Sequence, residues 1–414
     1  MEEKRCPICN STNTELLLDL GNQPPANELA RSEIEAKNVK KFNLSLRICN
    51  ECLYVWLNET IPPEVLFVNN PYLTGISSTT RRDMLNFYES CQTNCNIHAG
   101  QKVLDIASND GTLLAYFKEN GCNTLGVDPS KDAFKIAAEK GIATINNFFN
   151  EDTSRMIITK YGKFDLITAT NLITHVENPA KLLAINKSLL QDGGNIALEF
   201  YYFEAIISNN AFDQIYHEHI SYFNLTTFMK LIQKIGLEIF HVELVPSQGG
   251  SLRVFLSLPG KHSVDKTVSD ILSREGSHEE IRTRYKKFAI SSLQRADAIK
   301  TILKSKLKEG KVIAGYGASA KATVLTNYLN LSSNVIRAIV DLSSTKQGKF
   351  IPGTAIPVVP PEDLIEVDPD VVVIFSWNIA NEVLRQVSQL LRKNFTALIF
   401  MPEISEKIIA GGVP

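Results

Sequence analysis

The sequence predicts an α/β protein: a doubly wound parallel sheet, a small cysteine-bearing module before it and a second β/α series after it. Three observations carry this. Four of the seven cysteines fall in residues 1–70 as two Cys-x-x-Cys pairs. From about 97 to 200 short β-like runs alternate with helical stretches, which implies a parallel sheet covered on both faces. The alternation restarts at 311. The 414 residues allow roughly two to three domains. Lys+Arg is 43 against Asp+Glu 45. The broad cationic field of a nucleic-acid binder is therefore missing. No apolar run approaches the roughly 18 residues that span a bilayer, so no membrane partner is expected. The start, MEEKR, has no apolar export segment. With an odd number of cysteines, a disulfide framework is not expected and a cytoplasmic protein is.

Residues 1–70 read as a metal module. Cys6-x-x-Cys9 and Cys49-x-x-Cys52 can each present two thiolates to one ion, and together they complete a tetrahedral four-sulfur zinc site. Four protein ligands leave no open position, so the zinc is expected to be structural. The redox reading of Cys-x-x-Cys needs a thioredoxin-like context that is absent.

Residues 71–260 read as the core. VLDI (103–106), TLGVD (124–128), FDLITAT (164–170) and NIALEF (195–200) are predicted strands, and 112–120, 131–140 and 179–190 predicted helices. Runs at 237–245 and 251–258, separated by Pro246 and Gly249-Gly250, read as a hairpin. The stretch from Asp105 to Gly111 follows the first strand and opens a helix. Ala107, Ser108, Asn109 and Gly111 are small enough to let backbone approach a nucleotide-like ligand. Asp105 and Asp110 would repel a pyrophosphate. Asp128, ending the second strand, can accept both ribose hydroxyls. S-adenosylmethionine has that ribose, a sulfonium and an amino group, and no phosphate. Asp105, Ala107, Asn109, Gly111 and Asp128, with Asn147 and Asn171, form the candidate cofactor set.

The segment 215–223, IYHEHISYF, holds two of the seven histidines, a carboxylate and two tyrosines. It lies beyond the strand ending near Phe200, and His175 follows FDLITAT at the same edge, where open α/β sheets bind ligands. A histidine is the natural general base near neutral pH. If the segment is extended, His217 and His219 share a side and spacing alone cannot separate them.

Residues 261–310 are predicted to be a helical linker. Ile281, Tyr285, Phe288, Ala296, Ile299, Leu303 and Leu307 recur at helical steps, and Gly310 closes the run. Residues 311–414 begin with KVIAGYG and continue with strands at 335–341, 371–376 and 396–400. Gly315-Tyr316-Gly317-Ala318-Ser319-Ala320-Lys321 sits between a strand and a helix, and Asp341 ends the next strand. As a dinucleotide fingerprint it lacks the third glycine, which weakens a dehydrogenase reading.

Several further stretches accompany these: LDLGNQPPANEL (18–29), Pro71–Gly75, THVENP (174–179), SQGGSLRVF (247–255), GKFIPGTAIPV (348–358) and SWN (376–378). Together with YHEHxSYF they make nearly the whole chain similar to the S-adenosylmethionine-dependent nucleotide-sugar C-methyltransferases. The resemblance implies a class I methyltransferase core between a zinc module and a Rossmann-like nucleotide-sugar domain. It implies methylation at C3 of a nucleotide-linked 4-keto deoxyhexose through an enolate. By resemblance His219 is the base, Tyr216 and Glu218 orient it or the substrate, and Tyr72 and His175 lie against the sugar. His217 and Tyr222 are further substrate candidates. Gly317, Ala318, Ser319 and Lys321 would hold the diphosphate, with Lys349, Trp377 and Asn378 nearby, and a monomer is expected. An O- or N-methyltransferase is the alternative, needing no acidified carbon. A ligand sensor would have no need of a base at neutral pH.

Overall fold

The computed structural model describes residues 4–67, 73–75 and 77–412. Among them the strands, in chain order, begin with β1 (Thr14–Gln23), β2 (Phe42–Cys49) and β3 (Val55–Leu57). Then come β4 (Lys102–Ile106), β5 (Asn123–Val127), β6 (Thr144–Ile145), β7 (Phe164–Thr170), β8 (Leu190–Tyr201), β9 (Ser221–Tyr222), β10 (Glu238–Val245) and β11 (Ser251–Ser257). The last are β12 (Ile313–Tyr316), β13 (Ile339–Val340), β14 (Val358–Val359), β15 (Val371–Ile374), β16 (Phe395–Ile399) and β17 (Ser405–Ile409).

The central sheet runs β10-β11-β8-β7-β4-β5-β6. β4 to β8 are parallel and β11 is antiparallel to both its neighbours. Its strands are buried on both faces, as parallel strands under crossover helices must be. Val103, Leu166, Ala197 and Phe255 pack on one side with Phe87, Leu113 and Phe117. Leu104, Ile167, Ile196 and Leu198 pack on the other with Leu183, Phe228 and Leu231. The period of two along each strand produces this division. The C-terminal sheet, β14-β13-β12-β15-β16-β17, is parallel except for β17.

The N-terminal sheet is β1-β2-β3-β9, antiparallel throughout, and β9 comes from the core stretch. Val55 pairs with Tyr222 and Trp56 with Ser221. The cysteine module therefore shares a sheet with the segment that carries the histidine cluster. The helix His278–Lys308 opens with a Ser277/Glu280 capping box. It buries Ile281, Tyr285, Phe288, Ala296, Ile299 and Leu303 in a core made with the N-terminal sheet and the C-terminal module. No helix among the described residues is long and apolar enough to cross a membrane.

Candidate active site

The two cysteine pairs fold as equivalent knuckles. Asn10 donates its amide to the Cys6 carbonyl and Leu53 to that of Cys49, each at 2.9 Å, and both residues take a left-handed φ. Cys6 Sγ lies 3.5 Å from Cys52 Sγ, and Cys9 Sγ 3.4 Å from Cys49 Sγ. All four sulfurs lie within 4.8 Å of one another. A tetrahedral ion with Zn–S bonds of about 2.3 Å needs sulfurs roughly 3.8 Å apart, so the set fits zinc.

At the carboxyl end of β4 the chain turns through Ala107 (φ 59°), Asn109 (φ 48°) and Gly111 (φ 73°) into the helix Thr112–Glu119. A Cβ on Gly111 would lie 3.1 Å from Ile142. Asp128 follows β5 and braces this turn. Its Oδ2 accepts the Asn109 amide at 2.9 Å and its Oδ1 the Ser130 amide at 2.8 Å. Each oxygen keeps a lone pair, so the carboxylate can still accept two hydroxyls. Asp105 accepts from Thr168 Oγ1 at 2.7 Å, and burial pushes it up to about 7. Asp110 accepts the Gly75 amide at 2.8 Å and pairs with Lys140 at 3.2 Å. Asn109 Oδ1 accepts the Thr74 amide at 2.9 Å. The 73–75 strip is thus pinned over the turn, so close that a Cβ on Gly75 would meet Asp110 Oδ2 at 2.6 Å. Ser108 Oγ and Asn171 Oδ1 are buried without a protein partner among the described residues. Asn147 is exposed, its Oδ1 accepting the Phe148 amide. Orphaned acceptors, a braced turn and three carboxylates fit S-adenosylmethionine and disfavour a phosphate.

The histidine cluster closes on His219. Residues 217 and 218 form a turn in which the His219 amide donates to the Tyr216 carbonyl at 2.9 Å. The two histidines therefore diverge. His217 turns to the N-terminal sheet, its ring edge-on to Phe42 with centroids 6.0 Å apart. His219 faces the sheet edge. Its Nδ1 lies 2.9 Å from the Gln214 carbonyl, which makes Nδ1 the donor and leaves Nε2 a buried acceptor with no partner among the described residues. Around it, ring centroids lie 3.9 Å away for Tyr216, 4.4 Å for Tyr201, 5.1 Å for His175 and 6.5 Å for Tyr222. The Ile220 amide donates to the Thr174 carbonyl at 2.7 Å and ties this segment to the His175 loop. Burial sets the protonation states. It lowers His219 well below its ordinary value and His175 to about 4, so both are neutral at pH 7. It pushes Tyr201 up to about 12 and Tyr216 and Tyr222 well up, so all three remain donors. Tyr72 lies outside the described residues.

The C-terminal module meets the same spot. Trp377 Nε1 donates to Asp213 Oδ2 at 2.9 Å, one residue before the Gln214 carbonyl that holds His219. Lys321 Nζ donates to Asn378 Oδ1 at 2.9 Å and sits 5.3 Å over the Trp377 ring. Its charge is one of the influences holding His219 low, after burial and His175. Ser319 is the N-cap residue of the helix Ala320–Tyr328, and its buried Oγ has no partner among the described residues. The Ala318 amide is taken by Asp341 Oδ2 at 2.8 Å. Gly317 (φ 94°) leaves no room for a side chain beside Ser376. Lys349 is half-buried in the loop whose backbone pairs with Val358.

Residues 246–402 match the family model described as C-methyltransferase C-terminal domain, 81–242 match Methyltransferase domain, and 6–67 match a zinc binding domain. The C-methyltransferase NovU of Streptomyces niveus is 29% identical over 400 residues, covering 96% of this chain and 95% of that one. The chain is similar to the C-methyltransferases along nearly its whole length. This C-methyltransferase is S-adenosylmethionine-dependent, with a class I core and a zinc-binding N-terminal module. The ubiquinone biosynthesis O-methyltransferase of Pseudomonas aeruginosa is 29% identical over 104 residues, 24% of this chain and 44% of that protein. An S-adenosylmethionine-dependent methyltransferase of Clostridium acetobutylicum is 18% identical, with a TM-score of 0.35 over 45% of this chain and 94% of that one.

Two groups beside the histidine cluster escaped the sequence reading. Tyr201 stands at the carboxyl end of β8. The strand-end rule that selects His175 would have found it in EFYYF. Asn27 donates to Glu218 Oε1 at 3.0 Å from far away in the chain. No local signal pointed to that contact.

Proposed function

We propose that the acceptor is a nucleoside-diphosphate-linked 4-keto hexose, a small cytoplasmic metabolite, and that the methyl group goes to C3. A ketone at C4 acidifies the C3 proton. His219 Nε2 takes that proton, and the electron pair passes to the C4 oxygen as an enolate. Tyr201 and Tyr216, the tyrosines nearest to His219, share a hydrogen bond, which uses one phenol proton and leaves the other to donate to that oxygen. A preorganised donor of this kind is worth about 3 kcal/mol. S-adenosylmethionine, held by Asp128 and the 105–111 turn, supplies the electrophilic methyl group. Lys321, which donates to Asn378 and whose charge is felt by His219, is proposed to hold the diphosphate with Ser319 and Asn378. The observation that carries the reading is a neutral imidazole whose Nε2 has no partner among the described residues and whose other nitrogen is fixed by Gln214, among tyrosines that stay protonated. An imidazole kept neutral by burial is available as a base across the whole neutral range.

The test incubates the protein with S-adenosylmethionine and a panel of nucleoside-diphosphate 4-keto hexoses and locates the methyl carbon by NMR. Proton exchange at C3 in deuterated water isolates the first step. His219→Asn should lower the rate by about 10²- to 10⁴-fold and abolish exchange, while His217→Asn keeps it. A methyl group on oxygen or nitrogen, or exchange that survives in His219→Asn, overturns the reading.

A further inference from the structure

The LDLGNQPPANEL stretch lies between the two cysteine knuckles in sequence, but the four-sulfur site does not use it. Gln23, the last residue of β1, and Pro24, Pro25 and Ala26 in the loop before the helix Glu33–Asn38 are all buried. Loops normally stay at the surface because buried amides need partners. Here two consecutive prolines remove two N–H donors, which lowers the penalty of burying the loop. The C-terminal module clamps its outer side. Thr323 Oγ1 donates to the Ala26 carbonyl at 2.8 Å, and Ala30 and Phe350 exchange backbone hydrogen bonds at 2.9 Å. On its inner side Asn27 Nδ2 donates to Glu218 Oε1 at 3.0 Å. Glu218 is 2% exposed, and its Oε2 is buried with no partner among the described residues.

We infer that Asn27 is a positioning residue of the methyl-transfer site, holding Glu218 by Oε1 so that Oε2 is the atom presented to the acceptor. The inference rests on the proposed reading that the acceptor lies beside His219. An amide nitrogen only donates. It therefore keeps Oε1 unprotonated and leaves Oε2 as the oxygen that carries the proton when one is bound. Burial pushes Glu218 up to about 7, with the Asn27 contact opposing the rise and Glu28 adding to it. Tyr216 and Tyr222 are the other titratable groups that feel its charge. Near neutrality Oε2 can thus donate to a sugar oxygen or accept from a sugar hydroxyl. The site is then built from all three parts of the chain: Asn27, the 216–222 segment and Lys321.

Asn27→Asp keeps the size of the side chain and removes the donor, and Asn27→Ser restores a shorter one. Infrared difference spectra against pH, on protein without substrate, follow the protonated carboxyl band that disappears in Glu218→Gln. A hydrogen bond to a charged group corresponds to about one pH unit or more. The band should therefore persist at least about one unit higher in Asn27→Asp, because the donor is lost and a second carboxylate stands beside the first. Asn27→Ser should lie between that variant and the parent. With substrate, Asn27→Asp should lower kcat about 10- to 100-fold, leave the KM for S-adenosylmethionine unchanged, and add nothing in the Glu218→Gln background. An unmoved band, or losses that simply add to those of Glu218→Gln, overturns the inference. No turnover of any keto sugar with the band shift intact overturns the substrate reading instead and leaves the Asn27–Glu218 coupling standing.

Discussion

Arg253→Leu should be among the most destabilising single changes away from the reacting atoms. Arg253 is 4% exposed and Glu199 1%. Arg253 Nε donates to Glu199 Oε2 at 2.6 Å, and Nη1 reaches Glu243 at 3.4 Å. The guanidinium also donates to the carbonyls of Asn86 and Asp83 and lies 5.1 Å from the Phe87 ring. One side chain thus bolts β11 to β8 and to the helix Ser78–Cys95. Removing it strands the Glu199 carboxylate in the core. Breaking a buried pair costs about 3–5 kcal/mol, a large share of the roughly 5–15 kcal/mol that holds a protein folded. Burial already raises Glu199 against the pull of Arg253. Without Arg253 its folded pKa rises further above the unfolded one. The variant's deficit should then be smallest below the unfolded pKa of about 4.3 and grow as pH rises through the folded value. Arg253→Leu with Glu199→Leu should recover most of the loss, because apolar replacement of a whole pair is often neutral. Urea unfolding followed by circular dichroism at pH 5 and pH 8 measures all of this. A single variant within 1 kcal/mol of the parent at pH 8, or a deficit that does not change with pH, refutes the argument.

Two further outcomes are expected. Elemental analysis should give about one zinc per chain, and chelation should lower activity together with stability, because β3 is bonded to β9; a folded, fully active metal-free protein would count against this. Asp128→Ala should abolish detectable cofactor binding by calorimetry, and it should also lower stability by about 2 kcal/mol or more because two buried amides lose their acceptor; unchanged affinity would remove Asp128 from the ribose.

The sequence shows its periodic parts clearly. FDLITAT is β7 to the residue, the first βα turn lies where Asp105–Gly111 placed it, and the long helix buries the predicted stripe apart from Leu307, which is only partly covered. These are local signals: hydrophobic period, small residues at a turn, a cap. The orientation of the histidines was not legible. Extended and turned backbones at 217–218 both suit the residues, and the pairing of Ile220 with Thr174 and of β9 with β3 selects the turn. β9 is two residues long, too short for any alternation to show. Asn27 and Glu218 meet across 191 positions, and neither has a neighbour whose type foretells the other.

The sheet β1-β2-β3-β9 also imposes an order of assembly. Its first three strands leave the ribosome long before the fourth. Until residue 222 has been made, β3 has an open edge, and such an edge pairs readily with another chain. A strand of three residues is a short edge, and the two knuckles on either side of β2 can be drawn together by an ion at that stage. An ion bound there at that stage would hold the two knuckles together until β9 arrives to complete the sheet. For the same reason residues 1–70 made alone would be an unfinished sheet, and the remaining chain made alone would have the 215–223 segment without the strand it pairs with.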